Sequence, residues 1–359
     1  MNYRHTEILA NTDLGASGTE PIGIEIDDPI SAITVVHQPV GGSNTPAGHP
    51  VKNIEKIEVI DGSDVLYGCS GYQGQALNIF GASQPVIQEI DARAGGTPLV
   101  YIHLMFGRKF WDSELALDPR KHDNLQLKLK WNRVNYDAAC TSTGTMVYGH
   151  VFDGKVIDPV GFLSSKQEKE YTPTSGGWEY TTIPNDYPLR RLMLKGLKAG
   201  AGIRGLIEWI KLDENNDKKI VIDGDIHNLR SFLDEMGGDC IDHIVGSVGT
   251  TSAMFYCTPS NVFSHVSDGE TKDRVIASGL PIGGRLWFIA QTGTTIFNAH
   301  LQGKNPHGCV CIPFGDQKDL NDWWDVTAVK KVRLSIKGGT SSVAGDSVEV
   351  VTEQLRRYA

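Results

Sequence analysis

The sequence contains few cysteines, no long apolar segment and no excess of positive charge. Six cysteines are scattered over 359 residues, which is too few for a disulfide framework at this length and predicts free, mostly buried thiols. No apolar run approaches the ~20 residues needed to span a bilayer, and the first residues contain no apolar signal core. We therefore expect a protein that begins its life in a cytosol.

Motifs for nucleic-acid binding and catalysis are also scarce. The net charge is −9 and both signs are mixed throughout, so there is no basic stripe of the kind that grips phosphates, and direct nucleic-acid recognition is not expected. Neither a nucleophile elbow nor a GK[ST] phosphate loop occurs. The sequence therefore assigns no catalytic residue and no cofactor, and we do not expect an enzyme.

What the sequence does contain is many short strand patterns separated by turns. Apolar and polar residues alternate over Leu125–Trp131 and Val332–Lys337, which predicts strands with one buried face. Short helices are predicted near residues 73–79 and 228–236 and around the tryptophan segments. This pattern is typical of β-sandwiches and barrels. The further predicted strands are 33–40, 54–60, 99–105, 145–152, 219–222, 285–290 and 347–351.

Two stretches of equal length indicate an internal duplication. Residues 54–80 and 207–233 can be superposed without gaps, with five identities in 27 positions. A second pair of blocks follows in the same order: 100–107 leads through Trp111 to the strand at 125, and 310–315 leads through Trp323 to the strand at 332. Because the order of parts repeats, we predict two copies of one β domain.

The repeat suggests a division of the chain. We predict one domain over residues 1–160 and a second over 180–359. Between them, residues 161–179 are polar and then turn-rich, which is typical of a linker. The interval between the matched blocks is longer in the second half, and the surplus predicts a long loop insertion with a few strands at about 234–308.

This arrangement resembles the double jelly-roll major capsid proteins of tailless icosahedral viruses of bacteria or archaea, typically with an internal membrane. The likeness covers nearly the whole chain and includes the Phe-Gly and Trp-Asp connections and the segments Pro188–Leu192 and Leu280–Gly284. It implies an all-β fold of two tandem eight-stranded jelly rolls with short helices in the connections. It also implies a homotrimer that forms a pseudo-hexagonal capsomer.

The resemblance implies partners and a location as well. We expect contacts with neighbouring capsomers, with penton proteins and with minor capsid proteins, in the virion capsid after assembly in the host cytoplasm. An internal membrane is a further candidate partner, although the chain has little basic or amphipathic N-terminal extension that could reach it. Trp111, Trp323 and Trp324 are candidate interface anchors, because aromatic residues are enriched at interface cores. The alternative is that each fills its own domain's core.

Other interpretations compete with this one. Paired β-sandwiches with Trp, Tyr and Asp on loops could bind or cleave carbohydrate, and a concave loop-end site with exposed aromatics and carboxylates would distinguish that class. Residues 200–205 match G-x-G-x-x-G, the pattern of dinucleotide-dependent oxidoreductases, but lysines interrupt the preceding strand and a loop is favoured. Asp213, Asn215 and Asp217 resemble a calcium loop without its Gly and Glu, so a polar hairpin turn is favoured.

Overall fold

The computed structural model describes residues 2–269, 275–277 and 282–358. Two α-helices lie in this part of the chain, α1 (Gly71–Gly81) and α2 (Ile226–Leu233). Short 3-10 helices cover Pro50–Asn53, Pro119–Lys121, Arg133–Asn135, Asp153–Lys155, Ile203–Gly205 and Asp234–Met236. The strands are β1 Tyr3–Asp13, β2 Ser17–Gly23, β3 Ile30–Val40, β4 Ile54–Asp61, β5 Asp64–Cys69, β6 Val86–Asp91, β7 Val100–Met105, β8 Leu125–Asn132, β9 Ser142–Phe152, β10 Gly161–Tyr171, β11 Trp178–Ile183, β12 Leu189–Lys195, β13 Ile207–Glu214, β14 Lys219–Asp225, β15 Cys240–Val248, β16 Ala253–Tyr256, β17 Pro259–Gly269, β18 Val275–Ala277, β19 Arg285–Ala290, β20 Thr295–Pro306, β21 Cys309–Pro313, β22 Val332–Gly338 and β23 Val348–Arg357.

The first half of the chain forms an eight-stranded jelly roll, called roll 1 below. If its strands β1–β5 and β7–β9 are lettered B to I in chain order, the sheets have the order B-I-D-G (β1-β9-β3-β7) and C-H-E-F (β2-β8-β4-β5). Alternating apolar side chains such as Leu125, Leu127 and Leu129 point between the sheets into one core. The alternation read from the sequence therefore fixes which face of each strand is buried.

The second half repeats this topology as roll 2. Strands β10–β14 and β21–β23 form the sheets B-I-D-G (β10-β23-β12-β21) and C-H-E-F (β11-β22-β13-β14). The pairs that indicated duplication occupy equivalent places, because β4 and β13 are both E strands, β7 and β21 are both G strands, and β8 and β22 are both H strands. The predictions of an all-β fold and of two tandem jelly rolls are confirmed.

The two rolls share one sheet. Strand β5, the F strand of roll 1, lies beside β10, the B strand of roll 2, in parallel orientation with Gly68 opposite Lys166. The C-H-E-F sheet of roll 1 and the B-I-D-G sheet of roll 2 thereby become a continuous eight-stranded sheet. The Ser164 hydroxyl donates to the Leu66 carbonyl oxygen at 2.6 Å and holds the two strands together.

The predicted loop insertion in roll 2 is largely made of strands. Strands β15, β17 and β20 form a sheet with β6, which comes from the corresponding connection of roll 1 and pairs in parallel with β15. Strands β16, β18 and β19 form a second sheet. Phe255, Phe288 and Phe297 pack between them with centroid distances of 4.6 to 5.7 Å. The insertion therefore has a core of its own, although residues 270–274 and 278–281 lie outside the described residues, including Leu280 and Pro281.

Two local predictions differ from the structure. The segment predicted as a linker, residues 161–179, contains β10, which pairs with β23 along its length and whose Ser165 hydroxyl donates to the buried Glu353 carboxylate. The tryptophan segments predicted as helices are irregular loops. There the Asp112 carboxylate accepts backbone N–H groups of Arg108 and Glu114, both at 3.1 Å, and such side-chain to backbone bonds compete with helix formation.

Candidate assembly site at the junction of the rolls

Helix α1 covers the outer face of roll 2's B-I-D-G sheet and is the central element of the junction. It begins with a capping box in which Ser70 and Gln73 each bond the other's backbone N–H. A Cβ at Gly74 would lie 2.6 Å from Cγ2 of Ile102, so only glycine allows the helix to approach β7 this closely. The sequence thus places a short, tightly packed helix between the two rolls.

The sheet face under α1 carries buried charges that are paired with one another. Arg190 and Glu353 form an ion pair of 2.7 Å, with Arg191 3.8 Å from the same carboxylate. Burial raises the pKa of Glu353, but the two guanidinium groups outweigh burial and leave this pKa below its ordinary value. Lys195 and Glu349 form a second buried pair. Because buried charges are costly unless paired, this face requires its present partners.

Trp323 fills an apolar cluster where the rolls meet. It is 3% exposed and packs with Leu115 of roll 1 and with Leu163 and Leu355 of roll 2. Its indole N–H donates to the Asp316 carbonyl oxygen at 3.0 Å. The structure therefore uses Trp323 within the chain, at the contact between the two rolls.

The other two tryptophans proposed as anchors lie elsewhere. Trp324 is half-buried against Phe314, with ring centroids 5.0 Å apart, and borders the core of roll 2. Trp111 is half-buried at the edge of the B-I-D-G sheet of roll 1, 4.4 Å from the Tyr3 ring. Its φ of 62° is unusual for a residue with a Cβ, and its backbone N–H donates to the Ser31 hydroxyl at 2.8 Å. The side chains of the three tryptophans therefore pack in three different places.

The outer face of roll 1's B-I-D-G sheet carries a chain of hydrogen-bonded polar groups beside Trp111. His5 and His150 are joined by their Nδ1 atoms at 2.8 Å, and the Thr34 hydroxyl bonds both His150 Nε2 at 2.6 Å and His103 Nδ1 at 2.8 Å. Partial burial and then the neighbouring histidines lower the pKa of His150 to about 4. His150 is therefore uncharged at neutral pH.

A row of exposed aromatics, which the sequence reasoning missed, crosses the outer face of roll 2's C-H-E-F sheet. Lys337 lies opposite both Trp178 and Trp209 on the two neighbouring strands, and the exposed fractions are 43% for Trp178, 57% for Tyr180 and 37% for Trp209. The signal was the alternation of Trp178 and Tyr180 with Thr181 and Ile183, which marks a strand with an aromatic outer face. We define these three residues as the aromatic row.

The competing motifs do not form ligand sites. Residues 207–214 after Gly205 form strand β13 in an antiparallel sheet, where a dinucleotide site requires a helix after a parallel strand. Asn215, Asn216 and Asp217 have positive φ in a hairpin turn, and the Asp213 carboxylate is paired with Arg333 at 2.9 Å. Within the described residues, no group of three or more His, Cys, Asp or Glu side chains is placed to hold a metal ion.

The cysteines and the groove beside α1 do not form a ligand site either. All six cysteines are free and buried, and burial raises the pKa of Cys69 to about 12 and that of Cys311 to about 11. A groove of about 660 Å³ beside α1 is lined by one carboxylate, Glu353, which is already paired with Arg190. A carbohydrate site with free carboxylates is therefore not found there. In the described part of the chain, no helix is both long and apolar enough to cross a bilayer.

Comparison of the whole structure with solved structures gives full-length matches. The MCP of Sulfolobus Turreted Icosahedral Virus (STIV) matches with a TM-score of 0.62 at 11% identity, over 99% of this chain and 98% of that chain. The chain described here has the double jelly-roll fold. The major capsid protein P2 from Bacteriophage PM2 matches with a TM-score of 0.55 at 9% identity, over 99% and 98% of the chains. The PBCV-1 virus capsid gives 0.55 at 11%, over 99% and 94%.

Structure comparison finds these likenesses, whereas comparison by sequence does not. No protein-family model matches the chain, and no curated protein matches it by sequence. At identities of 9 to 11% it is the arrangement of strands that is shared. The shared arrangement covers 99% of this chain and 98% of the STIV MCP chain.

Proposed function

We propose that this protein is the major capsid protein of a tailless icosahedral virus. It serves as a structural subunit and not as an enzyme. The observation that carries the proposal is the match of a complete double jelly roll over 99% of this chain and 98% of the STIV MCP. Two rolls with the same topology give one chain two similar lateral walls, which is what a tile with many neighbours requires.

We further propose that three chains form a capsomer in which six rolls produce a pseudo-hexagonal outline. Trp111 stays a proposed anchor of the contact between chains, since it borders the outer face of roll 1's B-I-D-G sheet beside Tyr3. The aromatic row of roll 2 is proposed to contact neighbouring capsomers, because exposed aromatic residues are enriched at interface cores. Trp324 is a weaker candidate, since its ring already borders the roll 2 core.

In the virion, such capsomers would tile the capsid and meet penton and minor capsid proteins at its vertices and seams. Assembly would take place in the host cytoplasm. An internal membrane is the proposed neighbour of the inner face, although no described helix is long and apolar enough to cross it.

Light scattering of the purified protein tests this proposal. We expect a particle of three times the 39.2 kDa chain mass, and hexagonal outlines in negatively stained electron micrographs. A protein that stays monomeric at high concentration would contradict the proposed function. Titration with nicotinamide cofactors and with oligosaccharides provides the control for the competing classes, and we expect no saturable binding.

A further inference from the structure

The two helices occupy equivalent places in the two rolls but are covered to different extents. Each begins just after the F strand, with Ser70 as the N-cap of α1 and Asp225 as the N-cap of α2. One side of α1 faces its own roll, where the Asn78 side-chain amide donates to the His103 carbonyl oxygen at 2.5 Å and accepts the His103 N–H at 2.7 Å. On α2, the residue at the same distance from the cap is Leu233, which packs on the core of roll 2.

The other side of α1 is buried against roll 2. Gln73, three residues after the N-cap, donates to Gln167 at 2.6 Å and to Glu349 at 2.5 Å. Leu77, one helical turn later, is 6% exposed, and a Cβ on Gly81 would lie 3.7 Å from Arg191 Nη1. Residues three, seven and eleven positions after the cap of α1 therefore contact the next roll.

The matching positions after the cap of α2 are open. They are Asn228, Phe232 and Met236, and the exposed fractions of Phe232 and Met236 are 68% and 69%. Phe232 on α2 and Met236 in the 3-10 turn that follows it are four residues apart, and two apolar side chains this exposed form an apolar stripe. In a single chain this stripe lacks the covering that roll 2 provides for α1.

The strand edges show the same difference. Strand β5 is the F strand of roll 1 and lies beside β10, the B strand of roll 2. Their equivalents are β14, the F strand of roll 2, and β1, the B strand of roll 1, and within the described residues both end their sheets. An open sheet edge is a template for pairing with another chain.

The surface equivalent to the one under α1 is the outer face of roll 1's B-I-D-G sheet. A β-bulge interrupts β1 after Glu7 and β10 after Gln167, so these two residues correspond. On the paired I strands, Tyr148 then corresponds to Val351, and Met146 corresponds to Glu349. Tyr148, Met146 and the neighbouring Tyr101, which is 43% exposed, are uncharged, as the core of an interface requires.

We propose that a second copy of this chain repeats the internal contact. Strand β14 of one copy lies parallel to β1 of the next, and the stripe of Asn228, Phe232 and Met236 packs on the outer face of roll 1 in that next copy. Asn228 of one copy then lies beside Glu7 of the next copy, as Gln73 lies beside Gln167 within a single chain. This inference rests on the proposed trimer and names its surfaces. The contact is head-to-tail, so in the proposed trimer it closes into a ring in which every stripe and every β14 and β1 edge is covered.

A disulfide trap tests the register. The native cysteines are buried, so Asn228→Cys combined with Glu7→Cys supplies the accessible thiols. We expect mild oxidation to give a covalent trimer on a non-reducing gel, and either single variant to run as a monomer. The matched control is Asn228→Cys with Lys128→Cys, because Lys128 is exposed on the other sheet of roll 1 and should give no trimer.

Charge substitutions test the energetics. Phe232→Asp should raise the concentration at which trimers dissociate by at least about 30-fold, the effect of losing an interface hot spot. Phe263→Asp is the control, since Phe263 is 58% exposed in the insertion. Because both phenylalanines are exposed, we expect circular dichroism spectra like that of the wild type. Tyr148→Asp should act like Phe232→Asp from the receiving side.

Mixing the two charge variants separates a head-to-tail contact from a symmetric one. Phe232→Asp keeps an intact receiving face and Tyr148→Asp keeps an intact stripe, so the mixture should form one-to-one dimers and no trimers. A trimeric wild type whose Phe232→Asp variant dissociates no more readily than Phe263→Asp would overturn this inference and leave the proposed function standing. A monomeric wild type would overturn both.

Discussion

The same position of the I strand holds Glu353 in roll 2 and His150 in roll 1. Glu353 is buried under α1 and paired with Arg190 and Arg191, whereas His150 lies on an uncovered face and bonds to His5 and Thr34. The face covered within the chain therefore carries a cluster of paired full charges, whereas the matching face left open in a single chain carries His150, Tyr148 and Met146, with Glu7 on its edge strand. This is the reverse of the usual preference for charge at the surface.

The physical reason lies in the partner of each face. A charge can be buried at tolerable cost when its counter-charge belongs to the same chain and is always present. A face that is exposed in one chain and covered by a second copy would have to desolvate its charges at each association, and interface cores are accordingly depleted of them. The difference between the rolls thus supports the head-to-tail contact proposed above.

The largest expected effect comes from removing the charge of the covered face. Glu353→Ala leaves Arg190 and Arg191 buried without their carboxylate, and we expect a loss of about 5 kcal/mol in the free energy of unfolding. Denaturant unfolding measures it. The control is Glu55→Ala, because Glu55 forms a surface pair with Lys130 and should lose less than about 1 kcal/mol. Equal losses in the two variants would contradict the role assigned to Glu353.

The next effect concerns the apolar part of the junction. Trp323→Ala opens a cavity between the rolls, and we expect it to lower the free energy of unfolding by about 3–4 kcal/mol. Trp178→Ala removes an indole that is 43% exposed and should cost less than about 1 kcal/mol. If thermal unfolding shows similar losses for both, Trp323 does not hold the rolls together.

Acid should act on the two faces in different pH windows. The pKa of His150 is lowered from 6.5 to about 4, so the unfolded state takes up the proton first and stability falls as the pH drops from about 6.5 to 4. The pKa of Glu353 is lowered below 4.5, so its contribution is lost only below about pH 4.5. In urea unfolding at several pH values, His150→Gln should remove part of the slope in the upper window, by less than about 1.4 kcal/mol per pH unit. Glu353→Gln should leave that window unchanged.

The smallest effect on stability is expected at the aromatic row. Trp178→Ser combined with Trp209→Ser should change the free energy of unfolding by less than about 1 kcal/mol, since both side chains are substantially exposed. We expect trimers to form normally, but larger assemblies to be lost in electron micrographs. The matched control is Lys128→Ser on the corresponding sheet of roll 1. Assembly that is unaffected by the double substitution would remove this row from the proposed contacts between capsomers.

Much of the fold was predictable from periodicity. The alternation at Leu125–Trp131 gave β8, and the matched stretches 54–80 and 207–233 gave the E strand, F strand and helix of each roll. Strand β10 could not be found in this way, because its polar residues resemble a linker and its place in the sheet comes only from pairing with distant strands. The candidate site was less predictable. Of the three tryptophans, sequence could not decide that Trp323 packs inside the junction and that Trp111 lies at the β1 edge of roll 1's B-I-D-G sheet.

The sequence by itself determined that the chain is a duplicated all-β protein, because local alternation and the order of repeated parts are properties of neighbouring residues. Only the tertiary structure decided which surfaces are buried between the two rolls and which remain exposed in a single chain. Gln73 and Asn228, or Glu353 and His150, differ in their surroundings through contacts made across large sequence separations. The contacts of Gln73 come from the meeting of β5 with β10, whereas those of Glu353 join strands within roll 2 and those of His150 join strands within roll 1. No local pattern records any of them.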